Sequence, residues 1–146
     1  MLKRKLIALV APVALLACAE SAAATILNVT KSASCTCCEG WVEHMRKAGF
    51  TVKVTVVDDV TPTATRLGVP KQLRSCHTSI VEGYVIEGHV PASDVKRLLA
   101  QRPKAVGLAV PGMILGTPGM DFGAQKEAYK TILFTKAGKT QVFAQH

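Results

Sequence analysis

Three cysteines fall within four positions at Cys35-Thr36-Cys37-Cys38, and a fourth, Cys76, stands beside His77. Thiols at this density serve disulfide pairing, thiol–disulfide exchange or the binding of soft metal ions. Adjacent cysteines close a disulfide only in a strained ring, so Cys37–Cys38 is a poor structural pair. Short loops gain least from closure, and a chain of 146 residues has enough apolar residues to bury a core without staples. Thiols grouped with histidines, and with no carboxylate among them, suit Cu(I), zinc or an iron–sulfur cluster, whereas calcium and magnesium take oxygen. We read the first motif as C-x-C-C. Its tightly packed sulfurs suit thiolates that bridge several soft ions better than the wider cysteine pairs of zinc sites. Copper, as Cu(I), is the expected ligand, with zinc as the alternative.

The surrounding elements must bring these thiols together. Residues 25–30 read as a strand ending at the turn before Cys35. Residues 38–48 read as a helix, with Trp41, Val42, Met45 and Ala48 at helical spacing and Gly49 as its cap. Residues 50–57 read as a second strand and 60–67 as a short helix ending at Gly68. Two β runs, 78–81 and 84–86, flank Glu82-Gly83 as an antiparallel hairpin, and Pro91-Ala92-Ser93-Asp94 opens a helix that runs to Gln101. The order βαβα followed by ββα is that of an α/β, thioredoxin-like core. Residues 103–123 are rich in Gly and Pro and lack periodicity, yet they carry Ile114, Leu115 and the paired Pro111-Gly112-Met113 and Pro118-Gly119-Met120. A loop of this length and content is expected to be ordered and to lie over another part of the molecule. Residues 129–135 and 140–144, joined by Lys136-Ala137-Gly138-Lys139, read as a closing C-terminal β-hairpin.

That topology gathers distant residues. The cysteine motif lies where the first strand gives way to the first helix, whose N-terminus favours a thiolate. The first strand of the hairpin runs antiparallel to its neighbour, so Cys76 and His77 start at the same end, and the second strand returns there at His89. One edge is therefore expected to collect Cys35, Cys37, Cys38, Cys76, His77 and His89. Met113 and Met120 are candidate thioether ligands for Cu(I), although methionine also fills cores. His44 is expected on the surface and His146 to be mobile.

Lys3-Arg4-Lys5, the apolar run 6–17 and Ala22-Ala23-Ala24 follow one another as in a secretory signal peptide. We therefore expect 1–24 to be a signal and 25–146 a single exported domain, placed in the periplasm. Leu15-Leu16-Ala17-Cys18 offers the alternative of a lipoprotein anchored through Cys18. No membrane association is expected unless Cys18 is lipidated. The net charge of +8 is spread along the chain without interleaved aromatics, which points to a solvated basic surface and away from nucleic acid.

Several motifs together resemble the CopG-like periplasmic copper-resistance family, long catalogued as a domain of unknown function. They are Cys35-Thr36-Cys37-Cys38 with Gly40-Trp41-Val42, then Ser75-Cys76-His77-Thr78, and then Gly83-Tyr84-Val85 leading to Glu87-Gly88-His89-Val90-Pro91-Ala92. Gly107-Leu108-Ala109-Val110-Pro111-Gly112-Met113 and Pro118-Gly119-Met120 complete the set, which spans nearly all of 25–146. The resemblance implies a thioredoxin-like fold whose cysteine edge holds a small cluster of copper ions bridged by thiolates. It also implies a role in copper tolerance, with handling of copper's redox state and contact with other periplasmic copper-handling proteins. Carried over by motif, Cys35, Cys37, Cys38 and Cys76 are ligands, with His77, His89 and Met113 as further metal-site residues. Ordinary thioredoxins face a dithiol with a cis-proline before the hairpin, and here Cys76-His77 takes that place. Two other readings stay open. One is a metal-free thiol–disulfide oxidoreductase using a pair such as Cys35–Cys38 or Cys37–Cys76. The other is a disulfide-stapled domain.

Overall fold

The computed structural model describes residues 24–146, so the expected signal segment and Cys18 lie outside the described residues. Alternating apolar residues produce β1 (Ile26–Ser32), which buries Leu27 and Val29, and valine at every second position produces β2 (Thr51–Val57), its parallel partner. Between them runs α1 (Thr36–Lys47), whose apolar stripe of Cys38, Trp41, Val42 and Met45 is buried. Gly49, at φ +97, ends it by the left-handed turn that glycine adopts without a Cβ penalty. The short α2 (Thr61–Arg66) follows, with Pro62 in its first turn. Then come β3 (His77–Val81), β4 (Tyr84–Glu87) and α3 (Ala92–Gln101).

Among the described residues the strands form one seven-stranded sheet in the order β2-β1-β3-β4-β5-β6-β7, where β5 is Gly107–Ala109, β6 Lys130–Phe134 and β7 Thr140–Gln145. β3 runs antiparallel to β1, with Lys31 opposite His77, as the hairpin argument expected. Helices cover both faces. α1 and α3 pack with Leu27, Ile86 and Leu108 on one side, while Ala64 of α2 packs with Val85, Ala109 and Phe134 on the other. Adjacent residues such as Val85 and Ile86 therefore belong to opposite cores, as the period of two requires.

Two expectations are corrected. The first helix begins at Thr36, two residues earlier than expected, so Cys37 and Cys38 lie in its first turn and Cys35 is its N-cap. The segment 103–123 is also not all loop. It contains β5, parallel to β4, and this strand carries the C-terminal hairpin into the main sheet. Three residues are too few to show a period, and Gly107 has no side chain to reveal one; a Cβ there would strike the backbone of Val85. No helix among the described residues is long and apolar enough to cross a membrane.

Candidate metal centre

Five segments end at one edge of the sheet: the C-terminus of β1, the N-terminus of α1, the start of β3, the end of β4 and the stretch after β5. There the sulfurs of Cys35, Cys37, Cys38 and Cys76 all lie within 4.8 Å of one another. Cys76 Sγ belongs to a second group as well, within 4.8 Å of ring nitrogens of His77 and His89. Six of the seven expected metal-site residues are thus brought together, with Cys76 at the join. Met113 is not gathered in the same way. Its side chain is 62% exposed, although the carbonyl of Gly112 before it accepts a 2.8 Å hydrogen bond from Ser75 Oγ, next to Cys76.

The thiols are not equivalent. Cys35 and Cys38 form a disulfide across 5.3 Å between their Cα atoms, which leaves Cys37 and Cys76 free. This is one of the two pairs that the oxidoreductase alternative names, and within the C-x-C-C motif it has the spacing of a C-x-x-C. The helical turn that starts at Thr36 brings them side by side. Cys37 Sγ sits 3.5 Å from Cys35 Sγ. Cys76 is half-buried, and loss of solvation, with Cys37 beside it, pushes its thiol up to about 11.

The two imidazoles are held neutral. His77 is fully buried under Trp41, with ring centroids 4.4 Å apart. Burial first, then His89, brings its pKa down to about 3. His77 Nδ1 is 3.5 Å from Cys76 Sγ, while Nε2 is buried with no hydrogen-bond partner. His89 is also lowered by burial. Its Nδ1 lies 2.8 Å from the Pro118 carbonyl, which can only accept, so Nδ1 carries the proton. The bare Nε2 lone pair then points at Cys76 Sγ, 3.1 Å away. A ring nitrogen fixed by a carbonyl, with the other free, is how proteins orient a metal-binding histidine. These donors are sulfur and neutral imidazole, which fits a soft or borderline ion and does not fit calcium or magnesium.

Two charged residues escaped the sequence reading. Lys31, 2% exposed, pairs with Glu39 of α1 at 2.9 Å and donates to the Ser32 carbonyl. It places a cation opposite His77. Glu87, fully buried, accepts hydrogen bonds from Ser75 N–H and Thr78 Oγ1, each at 2.7 Å. Each stands one residue beyond the end of an expected strand, and although Glu87 belongs to the Glu87-Gly88-His89 motif, nothing local marks the partners of either.

The Gly/Pro segment is ordered and lies over the first turns of α1, as expected. A Cβ on Gly119, at φ +84, would meet the backbone of Trp41 and Cys37, and one on Gly40 would come within 2.9 Å of Gly119 Cα. Met120, buried at intermediate depth, closes a turn of this segment through its amide to the Thr117 carbonyl. His44 is exposed and pairs with Asp121 at 3.2 Å, away from the thiols. His146, expected to be mobile, is instead held by Asp94 at 2.9 Å and stacked on Tyr129.

A family model described as a protein of unknown function, DUF411, matches residues 73–120, which hold Cys76, His77, His89 and Met113 but not the first cysteine motif. Two solved structures of a copper resistance protein, copG forms 1 and 2, superpose with a TM-score of 0.81 at 40% identity. The match covers 85% of this chain, and 98% of form 1 and 99% of form 2. Among curated protein sequences there is no match.

Proposed function

This chain belongs to the CopG copper-resistance protein family, and from that premise we propose that it is an exported protein that sequesters Cu(I) in a thiolate cluster. The observation that carries the reading is Cys76, whose sulfur is within 4.8 Å both of the other three cysteine sulfurs and of the two histidines. In the fully reduced state Cys35, Cys37, Cys38 and Cys76 supply four thiolates, and His77 Nδ1 and His89 Nε2 add neutral nitrogens. Met113, on a segment tied to Ser75, supplies a thioether from the open side. Helix α1 directs its N-terminus at the cluster and Lys31 adds a positive charge, so both offset the anionic sulfurs. The core from β1 to α3 is of the thioredoxin-like type, with a C-terminal extension of the sheet. The signal-like start places the protein in the periplasm, where copper ions and other copper-handling proteins are its partners, with a Cys18-anchored lipoprotein as the alternative.

Each thiol must lose its proton to bind, so copper loading releases protons. The Cys35–Cys38 disulfide makes capacity depend on redox state. Two electrons and two protons, delivered by a dithiol reductant that is itself oxidised to a disulfide, convert the pair to two thiols and complete the donor set. Anaerobic titration with Cu(I) against a competing chelator, before and after reduction, tests this. Several ions retained per reduced chain and fewer per oxidised chain are expected. No retention by the reduced chain would discard the copper reading.

The disulfide favours a second reading, a metal-free thiol–disulfide oxidoreductase. Here a substrate dithiol reduces Cys35–Cys38 and leaves as a disulfide. Cys76 separates the two readings: copper retention needs it, whereas exchange through Cys35 and Cys38 does not.

A further inference from the structure

Between Ser75 and Thr78 the chain must leave an irregular stretch, present Cys76 and His77 in succession and enter β3. The conformation of this corner is not fixed by the ligands alone. Each of its flanks is bound by one oxygen of the same side chain: Glu87 Oε1 accepts the Ser75 amide and Oε2 accepts the Thr78 hydroxyl, both at 2.7 Å. Glu87 is completely buried at the end of β4, opposite Thr78 in the register. A carboxyl group is costly to bury, and this one has both oxygens committed to the residues that bracket Cys76-His77. The backbone on either side of Glu87 adds to the clamp. Gly88 N–H donates to the His77 carbonyl at 3.0 Å, and the Glu87 carbonyl accepts from Val110 N–H at 3.0 Å. Gly88 itself, at φ +70, leaves no room for a Cβ because Ser75 Oγ and the Val110 carbonyl stand in its place.

We propose that Glu87 is the positioning residue of the centre, a buried two-oxygen clamp that sets the Cys76-His77 corner against the α1 thiols. Its side chain hydrogen-bonds no sulfur and acts through Ser75 and Thr78. The inference rests on the copper reading for its function but not for its geometry. The clamp also explains why a single residue, Cys76, can serve both donor groups: its backbone is held from both sides.

The test compares Glu87→Gln, Glu87→Ala and Thr78→Val with the parent chain, each first checked for a native far-UV spectrum and cooperative melting. Gln keeps an oxygen for the Ser75 amide and an amide group toward the Thr78 hydroxyl, so it should rescue. Glu87→Ala should weaken Cu(I) retention by about 10- to 100-fold, the usual loss when an outer partner of a ligand is removed. Adding it to Cys76→Ser should cost less than it costs the parent chain, because the part of the clamp's effect that runs through Cys76 is already gone. A metal-free readout uses the ratio of alkylation rates of Cys76 and Cys37, resolved by peptide mass. That ratio should rise in Glu87→Ala and stay at the parent value in Glu87→Gln. If Glu87→Ala does not fold, Thr78→Val, which removes one arm of the clamp, should show the same changes to a smaller degree. A folded Glu87→Ala or, failing that, Thr78→Val with parental copper retention and alkylation ratio overturns the proposal. A parent chain that binds no Cu(I) overturns the copper reading, while the alkylation ratio still decides whether Glu87 holds the corner.

Discussion

At the scale of the residue, the site combines neutral imidazoles with one thiol, Cys76, whose pKa is raised, and these have opposite signatures in pH. His77 is depressed to about 3 and His89 is also lowered, in both cases chiefly by burial. A histidine with a lowered folded pKa contributes stability that is complete above its unfolded value near 6.5 and is lost as pH falls toward the folded value. Thermal melts of the copper-free protein should therefore show a falling Tm from pH 7 to pH 4, with stability lost at no more than about 1.4 kcal/mol per pH unit per imidazole, and His77→Phe should flatten the profile. Cys76 has the reverse sense. Its folded value near 11 lies above the usual 9.0, so its contribution is present below 9 and is lost as pH rises through 11. For copper the same raised thiol means that a proton is displaced on binding. Apparent Cu(I) affinity should rise with pH through the neutral range, and the slope should drop by one proton in Cys76→Ser. The gathering of these thiols and imidazoles at one edge was legible, because cysteine and histidine are few and their spacing is conspicuous. Glu87 was not, because the two groups that explain it lie 9 and 12 residues back in the chain. The Cys35–Cys38 pair is legible as one of two candidate pairs, but spacing alone does not choose between it and Cys37–Cys76.

At the scale of the element, α1 and the segment after β5 form the two walls of the site. Their close approach at Gly40 and Gly119 requires that neither carry a side chain. Gly119→Ala would place a Cβ into the backbone of Trp41 and Cys37 at a positive φ, a strained position for any L residue. The expected loss is on the order of 2–3 kcal/mol from strain and displacement together, read as a lower Tm. Because the Pro118 carbonyl next door holds the His89 ring, copper retention should weaken as well. Boundaries of the longer elements follow from apolar periodicity, and the early start of α1 departs from it because Cys35 to Cys37 present no apolar stripe. The strand β5 was invisible for a different reason. Its three residues gain their strand character from β4 and β6 on either side, a tertiary effect with no local pattern.

At the scale of the whole molecule, β5 extends the sheet beyond α3 and brings the C-terminal hairpin against that helix. Asp94, buried on α3, receives the Thr131 hydroxyl at 2.6 Å and His146 at 2.9 Å, while Arg97 stacks on Phe143 and donates to its carbonyl. None of these contacts involves a cysteine, His77 or His89. Thr131→Val should lower stability by about 1–3 kcal/mol, the usual effect of leaving a buried carboxylate short of a donor, and should leave the copper count per chain unchanged. The global order of strands and helices around the cysteine edge was legible from alternation and turn residues. The latch was not, since His146 carries no signal of a partner 52 residues away. The fold thus divides into an edge that gathers thiols and imidazoles and a structural closure.

The central claim is that one copper centre draws on both cysteine motifs through Cys76. X-ray absorption at the copper edge of the reduced, Cu(I)-loaded chain tests it most directly, with Cys76→Ser measured beside it. A shared centre gives a first shell dominated by sulfur with an imidazole contribution, short copper–copper distances, and loss of both sulfur and the copper–copper signal in Cys76→Ser. A shell of nitrogen and oxygen alone, or a sulfur shell identical in the two proteins, would contradict it.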